Sequence, residues 1–142
     1  MPSINPYLNF PGTTEEAFNF YRSVFGGEFA MLQRFKDTPD ADKLPEADRD
    51  KIMHISLPIG KGNILMATDA TESMGFHIIP GNNFYICISP DSKEEADRLF
   101  NGLSEEGKVG TALQDMFWGA YYGDLTDKFG IKWMVNYMPR QH

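Results

Sequence analysis

The chain has 142 residues, 42% hydrophobic and 23% charged, which bounds it to one globular domain or two half-size modules. A net charge of −7, with no lysine–arginine cluster, excludes a nucleic-acid binder, because such proteins need a basic face to displace phosphate counterions. The same charge weakens any case for an anionic membrane surface, and no apolar run approaches the ~20 residues of a membrane span.

The opening stretch MPSINPYLNF has neither the charged nor the apolar region of a signal peptide. The single cysteine, Cys87, leaves no internal disulfide framework and no CxxC zinc site. A cytoplasmic protein is expected. Within the run FYICI, Cys87 reads as a small buried hydrophobe.

Ile4 to Phe10 is expected to form a short strand, ended by Pro11-Gly12. Thr13 or Thr14 then caps a helix with Glu15 and Glu16 in its first turn, where the dipole favours acid. Phe18, Tyr21, Val24 and Phe25 recur at helical spacing as its buried stripe, and Gly26-Gly27 stops it. Glu28 to Phe35 reads as a strand with Gln33 among apolar neighbours. Lys36 to Asp50, acidic and carrying two prolines, reads as an exposed loop or short helix too polar for the core, with a mobile flap over a pocket as the other option.

Lys51–Ile59 and Asn63–Asp69 form a hairpin about Gly60-Lys61-Gly62. A linker from Thr71 to Gly81 divides the chain, and Asn83 to Ser89 is the next strand. Ser92 caps a second helix whose apolar face is Ala96, Leu99, Phe100 and Leu103, with Gly107 at its stop. Lys108 to Met116 follows. The tail, Gln114 to Tyr137, holds both tryptophans and two apolar runs joined by the turn Asp127-Lys128-Phe129-Gly130. Its aromatics interleave with glycine, as in a strand that another backbone or a ligand approaches closely. They would wall a pocket or fill a core.

The element order of the first half recurs in the second. Glu15-Glu16-Ala17 and Glu94-Glu95-Ala96 stand 79 positions apart (Glu15 and Glu94), and at that offset Phe20-Tyr21 meets Leu99-Phe100. The expected fold is α+β. Two βαβββ modules, about 1–72 and 82–142, form curved half-barrels around a cleft that receives every second strand residue.

With NPYLNFPGTTEEAFNFYRSVFGGE, DKIMHISL, ILMATDA and FWGAYYGDLTDKFGIKWMVNY, nearly the whole chain resembles the PhnB-like branch of the vicinal-oxygen-chelate superfamily. That superfamily includes glyoxalase I, extradiol dioxygenases and the bleomycin and fosfomycin resistance proteins. Members of the branch also carry the label 3-demethylubiquinone-9 3-methyltransferase, but no Gly-rich strand-to-helix loop of a methyl-donor type is present here.

The resemblance implies a divalent ion held by His, Gln and Glu at matching strands, where it would stabilise an enolate or bind dioxygen. Position by position, this chain departs. Tyr7 stands where relatives have histidine, Tyr85 and Cys87 are the fifth-strand candidates, and Met134 takes the place of the glutamate. Asp69 is near the place of a usual carboxylate. A phenol and a thioether are poor ligands for such an ion, so no metal or other cofactor is expected.

His54 alternates with Ile52 and Ser56 and is the candidate general base, or a displaced ligand, or a histidine hydrogen-bonded into the sheet or a dimer interface. His77 and His142 are given no role. Tyr7, Gln33, Asp69, Gln114, Trp118, Tyr122 and Trp133 are the candidate substrate contacts, aromatic walls with a few polar groups. Three functions follow. The first is a metal-independent cleft for a small polar or aromatic molecule, the second a metal-dependent lyase, isomerase or dioxygenase, the third an inactive assembly partner. The resemblance also implies a homodimer.

Overall fold

The computed structural model describes residues 2–139. The chain divides into two compact units, one ending at Ile79 and the other beginning at Pro80.

The first unit runs β1 (Tyr7–Phe10), α1 (Thr14–Phe25), β2 (Met31–Arg34), α2 (Glu46–Arg49), β3 (Ile52–Ile59) and β4 (Asn63–Asp69). Its sheet has the order β1-β4-β3-β2, with β1 parallel to β4 and the other pairs antiparallel. Alternation sends Leu8, Phe10, Ile55, Leu57, Leu65 and Ala67 to one face, all buried. There α1 packs on β3 and β4 through Ala17, Phe18 and Tyr21. The expected strand from Ile4 starts only at Tyr7. Proline has no N–H for the ladder, so Pro6 contributes just its carbonyl, which accepts from the Met66 amide at 3.1 Å.

The cap of α1 differs from expectation. Neither threonine side chain caps the helix; the Asp69 carboxylate, arriving from the end of β4, accepts the Thr14 amide at 3.0 Å and the Ile52 amide at 2.8 Å. It ties a helix start to two strands at once.

The acidic connection departs from expectation only in burying Asp48. It folds into two 3₁₀ turns, Phe35–Asp37 and Ala41–Lys43, followed by α2. Asp48 within it is buried, paired with Lys51 at 3.1 Å and accepting from Ser73 Oγ at 2.9 Å. A buried carboxylate with two donors is admissible inside a protein, which composition alone did not indicate.

The second unit runs β5 (Ile86–Ile88), α3 (Lys93–Ser104), β6 (Lys108–Asp115), β7 (Tyr121–Thr126) and β8 (Lys132–Tyr137), with sheet order β5-β8-β7-β6. Again the first pair is parallel and the rest antiparallel. Ser92 caps α3 as expected, its Oγ accepting the Glu95 amide at 3.1 Å, and Ala96, Leu99, Phe100 and Leu103 are its buried face. Gly107 is not the helix stop: Glu106 takes the positive φ (59°), while a Cβ on Gly107 would stand 2.4 Å from the Thr126 carbonyl. The glycine is there for a close approach of two backbones.

Each unit is thus a βαβββ module with an open, mixed four-stranded sheet, in keeping with the α+β reading. The duplication is clearest in the helices: α1 and α3 are both 12 residues long and start 79 positions apart, at Thr14 and Lys93.

Candidate functional site

The face of each sheet opposite its helix carries the candidate residues, and strand register fixes which of them are neighbours. In the first unit one row reads Tyr7, Met66, Ser56, Met31 across β1, β4, β3 and β2. In the next row Asn9 is opposite Thr68 and Gln33 is opposite His54. Directly opposed residues share a face, so register brings Tyr7, Gln33 and His54 together on the open side.

Tyr7 is exposed and His54 half-buried; the Tyr7 hydroxyl and His54 Nδ1 lie 3.4 Å apart, with ring centroids at 5.8 Å. That separation is longer than a tight hydrogen bond, so both groups keep capacity for a third partner. Gln33 is exposed beside them and offers an amide donor and acceptor.

Asp69 and Trp133 do not stand where the sequence reading put them. Asp69 is 3% exposed, on the helix side of its sheet, with one carboxylate oxygen committed to each of two backbone amides. Its role is structural. Trp133 is 1% exposed and its indole N–H donates to Asp127 Oδ2 at 2.8 Å, so it is core rather than pocket wall. Even alternation puts Trp133 on the helix side of β8 and Met134 on the open side. Cys87, expected to be buried, is exposed opposite Met134, because the outer strand β5 leaves that side uncovered.

In the second unit Gln114 is opposite Tyr122, and Trp118 lies at the tip joining β6 to β7. The Trp118 ring stands edge-on to Tyr122 at 6.5 Å and to the 98% exposed Phe117 at 5.0 Å. Asp124 is a member the sequence reading missed: it accepts the Thr111 amide at 3.0 Å and the Tyr122 hydroxyl at 2.9 Å. Partial burial first, and then the Asp124 carboxylate, push the Tyr122 phenol up to about 12. The signal was its i+2 spacing from Tyr122 in YYGDLT.

The two sheets carry matching pairs. Counting from the row Tyr7–Met66–Ser56 and from Cys87–Met134–Asp124, Gln33–His54 and Gln114–Tyr122 take the same places. Each unit therefore presents a glutamine beside a ring with a polar atom.

Around His54 the donors are a phenol, an amide and a thioether, a set that does not fit a hard or borderline divalent ion. Among the described residues no three His, Cys, Asp or Glu side chains come together in a group that could hold a metal. His77 is exposed with its Nδ1 3.6 Å from Glu72, and His142 lies outside the described residues. Among the described residues no helix is long and apolar enough to cross a membrane.

The family described as 3-demethylubiquinone-9 3-methyltransferase matches residues 2–136. Protein PA1353 of Pseudomonas aeruginosa is 39% identical over 97% of this chain and 98% of its own, and its crystal structure superposes with a TM-score of 0.84. Protein YjdN of Escherichia coli K12 is 27% identical over 97% of both chains. The PhnB protein of Bacillus cereus, 23% identical over 96% of this chain and 99% of its own, shares the fold with a TM-score of 0.76. A glyoxylase/bleomycin resistance protein/dioxygenase domain of Frankia, 11% identical, shares the fold with a TM-score of 0.70. The chain belongs to the family whose model it matches, that of the 3-demethylubiquinone-9 3-methyltransferase-like proteins.

Proposed function

We propose that this protein binds a small polar or aromatic molecule without a metal, on the open sheet face that carries Tyr7, His54 and Gln33. The observation that carries this reading is the Tyr7–His54 approach at 3.4 Å with Gln33 in register opposite His54. Three side chains from three strands present a ring, an imidazole and an amide to one volume. That is the composition of a small-molecule site, where apolar area supplies affinity and a few polar atoms set orientation. His54 is the one group there suited to moving a proton at neutral pH, and it is the candidate general base. Gln114, Tyr122 and Trp118 offer a related set in the second unit.

Methyl transfer, named in the family description, is not the activity proposed. The turn from β1 into α1 holds one glycine, Gly12, and the Thr14 amide at the helix start is already taken by Asp69. A homodimer in the cytoplasm is part of the proposal, supported by exposed Phe117 and Trp118 as contact area and by a lone cysteine.

The test is metal analysis of untagged protein, followed by thermal-shift titration with Zn²⁺, Ni²⁺, Mn²⁺ and Fe²⁺ and a metabolite screen on chelator-treated protein. A ligand that binds only the folded state must raise the melting temperature. Metabolite hits that survive chelation and vanish in Tyr7→Ala and His54→Ala are expected. Near-stoichiometric metal that His54→Ala abolishes would replace this reading with a metal-dependent lyase, isomerase or dioxygenase.

A further inference from the structure

A second candidate site lies in the first unit, past the Tyr7–His54 pair toward the segment 35–50. The segment 35–50 lines one side of a half-open hollow of about 410 Å³, within the size range of small-molecule pockets. Its walls are apolar and soft: Phe35 and Leu44 from the segment, Met53 from β3, and Met74 and Phe76 from the stretch after β4. Unbranched thioethers beside aromatic rings adapt their shape to a flat guest.

The polar groups of the lining have one sign. Asp48 and Asp69 contribute carboxylates and Thr68 and Ser73 hydroxyls, while no lysine or arginine is among the described residues that line it. Lys51 pairs with Asp48 at 3.1 Å, and its ammonium also donates to the Ala47 carbonyl at 2.8 Å. Asp48 is 4% exposed, yet each carboxylate oxygen has one protein donor and a further lone pair. The same contacts hold the segment in place, since Asp48 bridges Lys51 before β3 and Ser73 after β4.

We propose that this hollow binds a small organic cation with an aromatic or apolar body, its ammonium directed to the Asp48 carboxylate. Two carboxylates against the one Lys51 ammonium leave the hollow net negative, so an anion of the same shape is disfavoured and a neutral isostere binds more weakly for want of the charge. The hollow borders the open face at Thr68, which stands opposite Asn9, but its methionines differ: Met53 and Met74 line the hollow while Met31 and Met66 stand in the Tyr7 row.

Those methionines supply the experiment. Full-length protein labelled with ¹³C at the methionine methyls, assigned by single Met→Leu replacements, is titrated with phenethylamine, 2-phenylethanol and 3-phenylpropionate. Saturable shifts of Met53 and Met74 with phenethylamine are expected, weaker ones with the alcohol and none with the acid. Asp48→Asn should weaken phenethylamine about tenfold, the size of one lost charge-assisted contact. Leu44→Trp, which fills the hollow and leaves Asp48 in place, should abolish the shifts even if Asp48→Asn loosens the segment. Shifts at Met31 and Met66 alone would assign the ligand to the open face and overturn the hollow. Equal response to the acid, or no response at Met53 and Met74, would also overturn it.

Discussion

At the scale of single residues, the chain separates side chains that hold the fold from side chains free to meet a ligand. Asp69 and Tyr7 were both candidates, and only burial tells them apart. Asp69, with its two amide partners, is predicted to be a stability residue: Asp69→Ala should cost about 3 kcal/mol in urea unfolding, because two buried N–H groups lose their acceptor. Loss of ligand binding at unchanged stability would refute that. Asp127 plays a similar part in the tail, where its Oδ1 accepts the Phe129 and Ile131 amides and its Oδ2 the Trp133 indole. The Asp127 turn is legible along the chain, since Asp and Gly at those positions have a local mechanism. That the same carboxylate draws Trp133 into the core is not.

At the scale of elements, helices and the tail hairpin were legible because their signals are local. Periodicity and the Ser92 cap marked α3, and its four expected apolar residues are buried. Strand edges were less legible: β2 is Met31–Arg34 and β5 Ile86–Ile88, each shorter than its apolar run, because pairing stops where the neighbouring strand does. Glycine in the tail has a packing reason that became visible only with neighbours in place. A Cβ on Gly123 would meet the Phe100 ring at 2.8 Å and the Leu113 amide nitrogen at 2.9 Å. Gly123→Ala should therefore destabilise by about 2 kcal/mol, the usual cost of overpacking a tight contact. Phe100→Leu in the same chain should restore part of it if ring contact is the cause. A neutral Gly123→Ala in chemical denaturation would show that the sheet gives way freely there.

At the scale of the whole molecule, the tyrosines set an alkaline limit on stability. Tyr121 and Tyr122 are both pushed up to about 12, the first mainly by its hydrogen bond to Asp97, the second mainly by burial and then by Asp124. The native state then holds protons that an unfolded chain releases from about pH 10 upward. Their contribution is present below pH 10 and is lost as pH rises toward 12. Chemical denaturation across that window should show a flatter fall for Tyr122→Phe than for the parent chain. Identical slopes would mean that Tyr122 is not coupled to folding.

The sequence by itself determined the α+β class and the repeated βαβββ order, because periodicity, the Ser92 cap and the 79-residue offset between helices are written along the chain, and its family through the resemblance of motifs such as DKIMHISL and FWGAYYGDLTDKFGIKWMVNY. Tertiary structure alone decided which candidate residues stand together. The pairing of Gln33 with His54 and of Gln114 with Tyr122 depends on register, and the offset that aligns the helices does not align these strands, since the segment 35–50 is far longer than its counterpart. Burial then divided the candidates: a carboxylate or an indole reads the same along a chain whether its partners are buried amides or an open face.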